Sequence, residues 1–211
     1  MSAMGSSQLA GARCDSDSEA GRHAALEPGR RTDAMTVYTL GQRIAHWVST
    51  IVLALLFGLG LSITRLLDGD IQLVAYAWHE WLGLSLLLIT MIRVTLWTHG
   101  TPPAPDLPGF EALARRFVHG AMYALLVAVP LSGWCMTQAF GFPIVYLGIL
   151  PLPAVIGEDR ELAVWLRTIH TALATGLAAL IGLHLGALAR HHFVKQDGIL
   201  TRMWPGNGSD A

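Results

Sequence analysis

Apolar residues in this chain gather into four long runs divided by short polar stretches, without the strict alternation that marks a half-buried strand. The runs fall at residues 42–64, 73–98, 117–137 and 162–189, each near the ~20 residues a membrane-spanning helix needs. The break Leu67-Asp68-Gly69-Asp70 separates the first two runs, and a proline-rich stretch, residues 101–108, separates the next pair; both read as loops. Residues 141–157 are apolar too, but prolines and glycines interrupt them and the stretch is short of a span. They are expected to form an interfacial cap. The pattern predicts an all-α integral membrane four-helix bundle spanning residues 37–204.

Residues 1–36 have no apolar period and are rich in Ser, Ala, Gly, Arg and acidic residues, so they read as a disordered leader. A secretory signal would place its apolar run near the start, whereas here the first begins only after Leu40. Met35 stands a suitable distance ahead of the first run, and translation from it is expected to give a chain that inserts normally. Residues 205–211 form a polar tail.

The fourth run carries the chemistry. From Thr168 to Ala189 it has no charged residue, yet it holds His170 and His184, and ionisable groups inside a bilayer are costly enough to mark a function. The two are 14 residues apart, hence about 40° apart around the helix and ~21 Å apart along it. One face therefore presents an imidazole near each membrane surface. Ala172, Ala174, Gly176, Ala178, Gly182 and Gly186 lie between and beside them, and small residues let a bulky flat group approach the backbone.

Composition agrees with a membrane location: 53% of the 211 residues are hydrophobic and 14% charged, with mean hydropathy +0.47. The net charge of −1 and the lack of a basic, aromatic-interleaved patch leave no nucleic-acid footprint. Cys14 and Cys135 share no metal-binding spacing, and Cys135 reads as a small core residue. Cations set the orientation. Eleven of the 14 Lys and Arg residues fall on the side of the two termini, against Arg65, Arg160 and Arg167 on the other. The positive-inside rule then puts both termini of this multi-pass protein in the cytoplasm.

With that orientation, histidines sort by depth. His46 lies near the inner face on the first helix, and His79 near the outer face on the second; His170 and His184 on the fourth match these two levels. Two level pairs result, His79 with His170 and His46 with His184, an arrangement suited to bis-imidazole ligation of two haem irons. Zinc or copper is the competing assignment, but each level offers only two ligands, fewer than zinc takes. Gly83, one turn from His79, leaves room for a ring on the same face. His119 opens the third helix at the inner level and competes with His46, its alternative role being an interfacial hydrogen-bonding group. His99, His191 and His192 lie at inner helix ends. Arg93, 14 residues past His79, shares its face at the inner level and needs an anion or polar head, either a haem propionate or a quinone carbonyl. Arg43 and Arg167 are placed to meet propionates or lipid head groups.

From about Tyr38 to Trp204 the sequence resembles the bacterial diheme cytochrome b561 family. The matching elements are Arg43-Ile44-Ala45-His46-Trp47, the WHEWLG segment containing His79, Arg93 with the following Thr101-Pro102-Pro103, the stretch from His119 through Tyr123 to Pro130 and Gly133, RTIHTALA with His170, and GLHLGALARHHF with His184, His191 and His192. The resemblance implies four transmembrane helices, two haems b on His46, His79, His170 and His184, and electron transfer with ubiquinone as the acceptor. In a member that oxidises superoxide at the outer side, the first histidine of the His-His pair serves the quinone, which corresponds to His191. The chain is thus expected to be an oxidoreductase of that kind or an electron carrier. The other classes are a cytochrome b anchor subunit of a hydrogenase or dehydrogenase with a periplasmic partner, and a haem-free structural or transport protein. The 36-residue leader and a more apolar outer loop depart from the superoxide-oxidising member.

Overall fold

The computed structural model describes residues 38–99 and 109–197; the leader, the proline-rich connection and the polar tail lie outside them. Four long helices run in order: α1 Leu40–Arg65, α2 Gly69–His99, α3 Gly109–Ala139 and α4 Arg160–Ala189, the last continuing as a π-helical turn, Arg190–Lys195. All four are long and apolar enough to cross a membrane. A short antiparallel hairpin, β1 Val145–Tyr146 with β2 Leu150–Pro151, stands between α3 and α4.

Local sequence explains the helix ends. Thr39 and Gln42 form a reciprocal capping box at the start of α1, and Asp159 caps α4 by accepting from the Leu162 amide at 3.0 Å. The chain leaves α1 through Leu66 and Leu67, both bonded to the Ser62 carbonyl, and enters α2 at Gly69 with φ of +61°. All four helices begin earlier than the apolar runs, α3 by the most. α3 gains residues 109–116, whose sequence GFEALARR is amphipathic and lies beyond the span; a helix end in water needs no apolar face of its own. Glu111 there accepts from Lys195 Nζ at 2.6 and 2.7 Å and from Arg190 at 3.2 Å, which ties the start of α3 to the π-turn.

Helix packing is sequential: α1 lies on α2, α2 on α3 and α3 on α4, while α4 does not approach α1 or α2 comparably closely. The centre is a layer of four buried leucines, one per helix: Leu56, Leu86, Leu126 and Leu177. Leu177 is seven residues from both His170 and His184, and Leu86 seven from both His79 and Arg93. The layer therefore divides the bundle into a hairpin end and a terminal end. Gln72 donates to the Ile63 carbonyl at the first, and Gln42 to the Leu96 carbonyl at the second, so α1 and α2 are clamped at both.

The stretch expected to be an interfacial cap is the hairpin, and Gln138 secures its return. This buried side chain donates to the Pro153 carbonyl at 2.8 Å and accepts from the Val155 and Ile156 amides at 2.9 and 3.3 Å. Replacing Gln138 with Leu strands all three backbone groups, so the variant is expected to lose on the order of 2–3 kcal/mol. Thermal unfolding in detergent measures it, and an unchanged midpoint refutes the assignment.

Candidate functional site

At the hairpin end, His79 of α2 and His170 of α4 face each other, with ring centroids 6.3 Å apart and planes inclined at 72°. Each ring lies over a glycine of its neighbouring helix. A Cβ added at Gly60 of α1 would stand 3.3 Å from His79 Cε1, and one at Gly133 of α3 would stand 3.2 Å from His170 Cε1. His170 Nδ1 is bonded to the Val129 carbonyl at 3.0 Å, with the Ser132 hydroxyl at 3.1 Å. A carbonyl only accepts, so Nδ1 carries the proton and the Nε2 lone pair is left free. That is the tautomer of a metal-bound histidine. His79 interacts with the Leu56 carbonyl, while its buried Nδ1 lacks a partner of full hydrogen-bond geometry. Beside it, Glu80 accepts from the Thr137 hydroxyl at 2.7 Å, joining α2 to α3.

At the terminal end the structure gathers more than the expected pair. The ring nearest His184 is that of His119, with centroids 5.1 Å apart and planes at 83°. His119 Nδ1 donates to the Arg115 carbonyl at 2.8 Å, which again frees Nε2. His46 is in electrostatic reach of both rings, but its Nδ1 meets Arg93 Nη2 at 3.3 Å, and an arginine only donates. Its neutral ring thus carries the proton on Nε2. Arg93 also stacks over Tyr123 with 5.2 Å to the ring centre. Tyr123 was not singled out for a role by its sequence; its position four residues past His119, on the same helix face, was the available signal.

Arg93 and His191 are not joined. His191 pairs through Nδ1 with Asp197 Oδ2 at 2.5 Å, and the αL conformation of Gln196 turns the chain back to make that contact. Between α1 and α4 a cavity of about 530 Å³ opens toward the hairpin end, lined by Thr64, Arg167, Thr168, Thr171 and Ala172. A Cβ at Gly83, one turn from His79, would meet nothing within 4 Å, so open space also flanks the histidine face of α2.

Residues 37–206 match the family model for prokaryotic cytochrome b561. The chain belongs to that family. It is 33% identical to cytochrome b561 homolog 2 of Escherichia coli K12 over 170 residues, covering 78% of this chain and 89% of that protein. A protein described as a probable superoxide oxidase, CybB, of Yersinia pestis is 30% identical over 129 residues, covering 60% of this chain and 73% of that protein. Cytochrome b561 homolog 1 of Escherichia coli K12 is 24% identical over 174 residues, or 81% and 98% of the two chains. This is therefore a multi-pass bacterial membrane cytochrome of haem b, a carrier of electrons.

The residues at the hairpin end fit such a group. Two imidazoles on opposite sides of one metal, each bonded at about 2 Å with its ring centre about 1.1 Å beyond the nitrogen, have centroids roughly 6.2 Å apart; His79 and His170 are at 6.3 Å. Their glycine seats should matter accordingly. Gly133→Val drives a branched side chain into the His170 ring and is expected to lower the haem content of the purified cytochrome, whereas Gly58→Ala, exposed on α1 with nothing within 4 Å of the added Cβ, leaves it unchanged. Equal haem content in the two variants contradicts the seat.

Proposed function

We propose that the protein is a diheme b-type cytochrome that passes electrons across the bacterial inner membrane to quinone, with the terminal end in the cytoplasm, in the manner of a superoxide:ubiquinone oxidoreductase. The observation that carries this reading is the 6.3 Å separation of His79 and His170, matched one leucine layer away by a second histidine level. Haem b, when bound, supplies one-electron chemistry at its iron. His79 and His170 would hold one haem and His46 and His184 the other. Val129 and Ser132 fix the His170 tautomer from α3, and Gly60 and Gly133 set the ring positions. Arg93, a cation with three imidazoles (His46, His119 and His184) and a phenol for near neighbours, serves a propionate or a quinone carbonyl. His191 is assigned to the quinone, where an imidazole can hand over a proton as the ring is reduced. The superoxide half of the reading rests on the likeness to the Yersinia protein.

A specific observation favours a second assignment of the inner ligands. His119, not His46, has the ligand tautomer and lies beside His184. Single alanine variants separate the two. Under the first assignment His46→Ala leaves one haem per chain and His119→Ala leaves two; under the second the outcomes exchange. In both, His79→Ala removes the haem of the other level. Haem per chain is read by the pyridine haemochromogen assay, and a wild-type value of one or none would falsify the diheme proposal.

The quinone end is tested by superoxide-driven ubiquinone reduction with His191→Ala and Arg93→Gln, after confirming that both haems remain. Both variants are expected to be slowed at least about ten-fold, the usual scale for losing a general acid or a charge-assisted contact. Wild-type rates in both place the quinone elsewhere. No superoxide-driven rate in the haem-loaded wild type points to a dehydrogenase or hydrogenase partner as the electron donor.

A further inference from the structure

The connection between α3 and α4 does not stay at the end of the bundle. Its two ends meet there: the Asp159 amide bonds the Ala139 carbonyl at 3.0 Å, and Glu158 packs against Gly141. The residues between fold back. α3 ends 13 residues past Leu126, so its last turn is about 20 Å beyond the leucine layer. Yet Tyr146 shares a hydrogen bond of 2.8 Å with Ser85, which is one residue from Leu86 in that layer. The Val145 carbonyl accepts from the Trp81 indole at 2.9 Å, and Trp81 is only about 7.5 Å above the layer. All four leucines lie close to the midpoints of their helices, and the hydrocarbon half-thickness is about 15 Å. The hairpin thus reaches a depth at which water is absent.

Its side chains suit that depth. From Phe117 to Gly157 there is no Asp, Glu, Lys or Arg. Trp81 and Ser85 project about 140° and 100° away from the direction of Leu86 around α2, so the hairpin lies on a side of α2 turned from the core. The surface it presents outward is apolar: Ile149 is 84% exposed, with Leu147, Leu150, Phe142 and Val155 also exposed. Leu147 and Gly148 both have positive φ, 54° and 71°, as the two central residues of a type I′ turn do. Asn, Asp or Gly favours the first of these positions, and a leucine there is strained. A water-facing turn gains nothing from it; a lipid-facing one does.

We propose that residues 142–156 form a re-entrant β-hairpin seated in the lipid leaflet against α2, with Leu147 and Ile149 at its tip touching acyl chains. Non-helical backbone is held at membrane depth by packing against protein that answers its polar groups, and the inner part of this hairpin is answered by α2 and by its own strands. Here the Ile144 carbonyl takes the Leu152 amide, the Tyr146 carbonyl takes the Ile149 amide, and Val145 takes both Trp81 and Gly148. Gln138 satisfies the return strand. Pro143, Pro151 and Pro153 bring no N–H that would need a partner.

Depth is measurable on the full-length cytochrome in phosphatidylethanolamine–phosphatidylglycerol liposomes. In a background with Cys14→Ser and Cys135→Ala, a nitroxide is placed by Ile149→Cys or, in the water-exposed connection of α1 and α2, by Asp68→Cys. Oxygen, which partitions into lipid, and a water-soluble nickel chelate then compete as relaxants. The nickel collision rate at 149 is expected to be roughly ten-fold below that at 68, with oxygen collisions higher, as for any site inside the hydrocarbon. Leu147→Cys should behave as Ile149→Cys does, which guards against one variant folding poorly. Equal nickel access at 149 and 68 overturns the proposal in favour of an aqueous cap. Protection of 149 from both relaxants, with disulfide cross-linking of Ile149→Cys between two copies, overturns it in favour of a protein interface.

Discussion

An imidazole inside a bilayer has no water to bond, so each of its nitrogens has to be answered by the protein or by a ligand. That constraint organises the bundle. His170 and His119 give Nδ1 to the carbonyls of Val129 and Arg115 on α3 and keep Nε2 uncommitted, while His46 receives a bond from Arg93. The helices place these rings at two depths and fill the space between with leucine. The glycines at 60 and 133 follow from the same need, because a ring held at a fixed distance from a ring on another helix requires a backbone it can lie against.

The terminal end shows how far such pairing goes without a carboxylate. Arg93 spends its charge on a histidine nitrogen and a tyrosine face, and no Asp or Glu joins it among the described residues. The carboxylates at this end serve the surface instead, Glu111 gripping Lys195 and Arg190, and Asp197 gripping His191. Charge is thus neutralised where water reaches and left open where a cofactor edge or quinone would be received.

The helices were legible because apolar runs of membrane length admit few other structures, and depth along a helix can be counted in residues. The same counting brought His79 and His170 to one level, where they lie together. At the terminal level it favours His46 over His119 as the partner of His184, although both lie at that level and the choice rests on hydrogen bonds at Nδ1 that no spacing encodes. The amphipathic start of α3 is not marked by a search for apolar runs because Glu111, Arg115 and Arg116 interrupt its apolar residues. The loop of residues 141–157 was read correctly as non-helical, but its fold-back depends on Trp81 and Ser85, more than 50 residues away in sequence. Gly60 and Gly133 look in sequence like ordinary helix-packing glycines; only the opposing ring distinguishes them.

The layer of Leu56, Leu86, Leu126 and Leu177 has an electrical meaning. None of these side chains can bind or relay a proton, so the layer itself offers no proton path between the two histidine levels. A charge that passes between them does so alone and moves through a share of the membrane's field, which is about 2.3 kcal/mol per elementary charge for each 100 mV across the full thickness. On the proposed reading, the direction and speed of electron transfer between the two levels are therefore coupled to the voltage of the membrane that holds the protein.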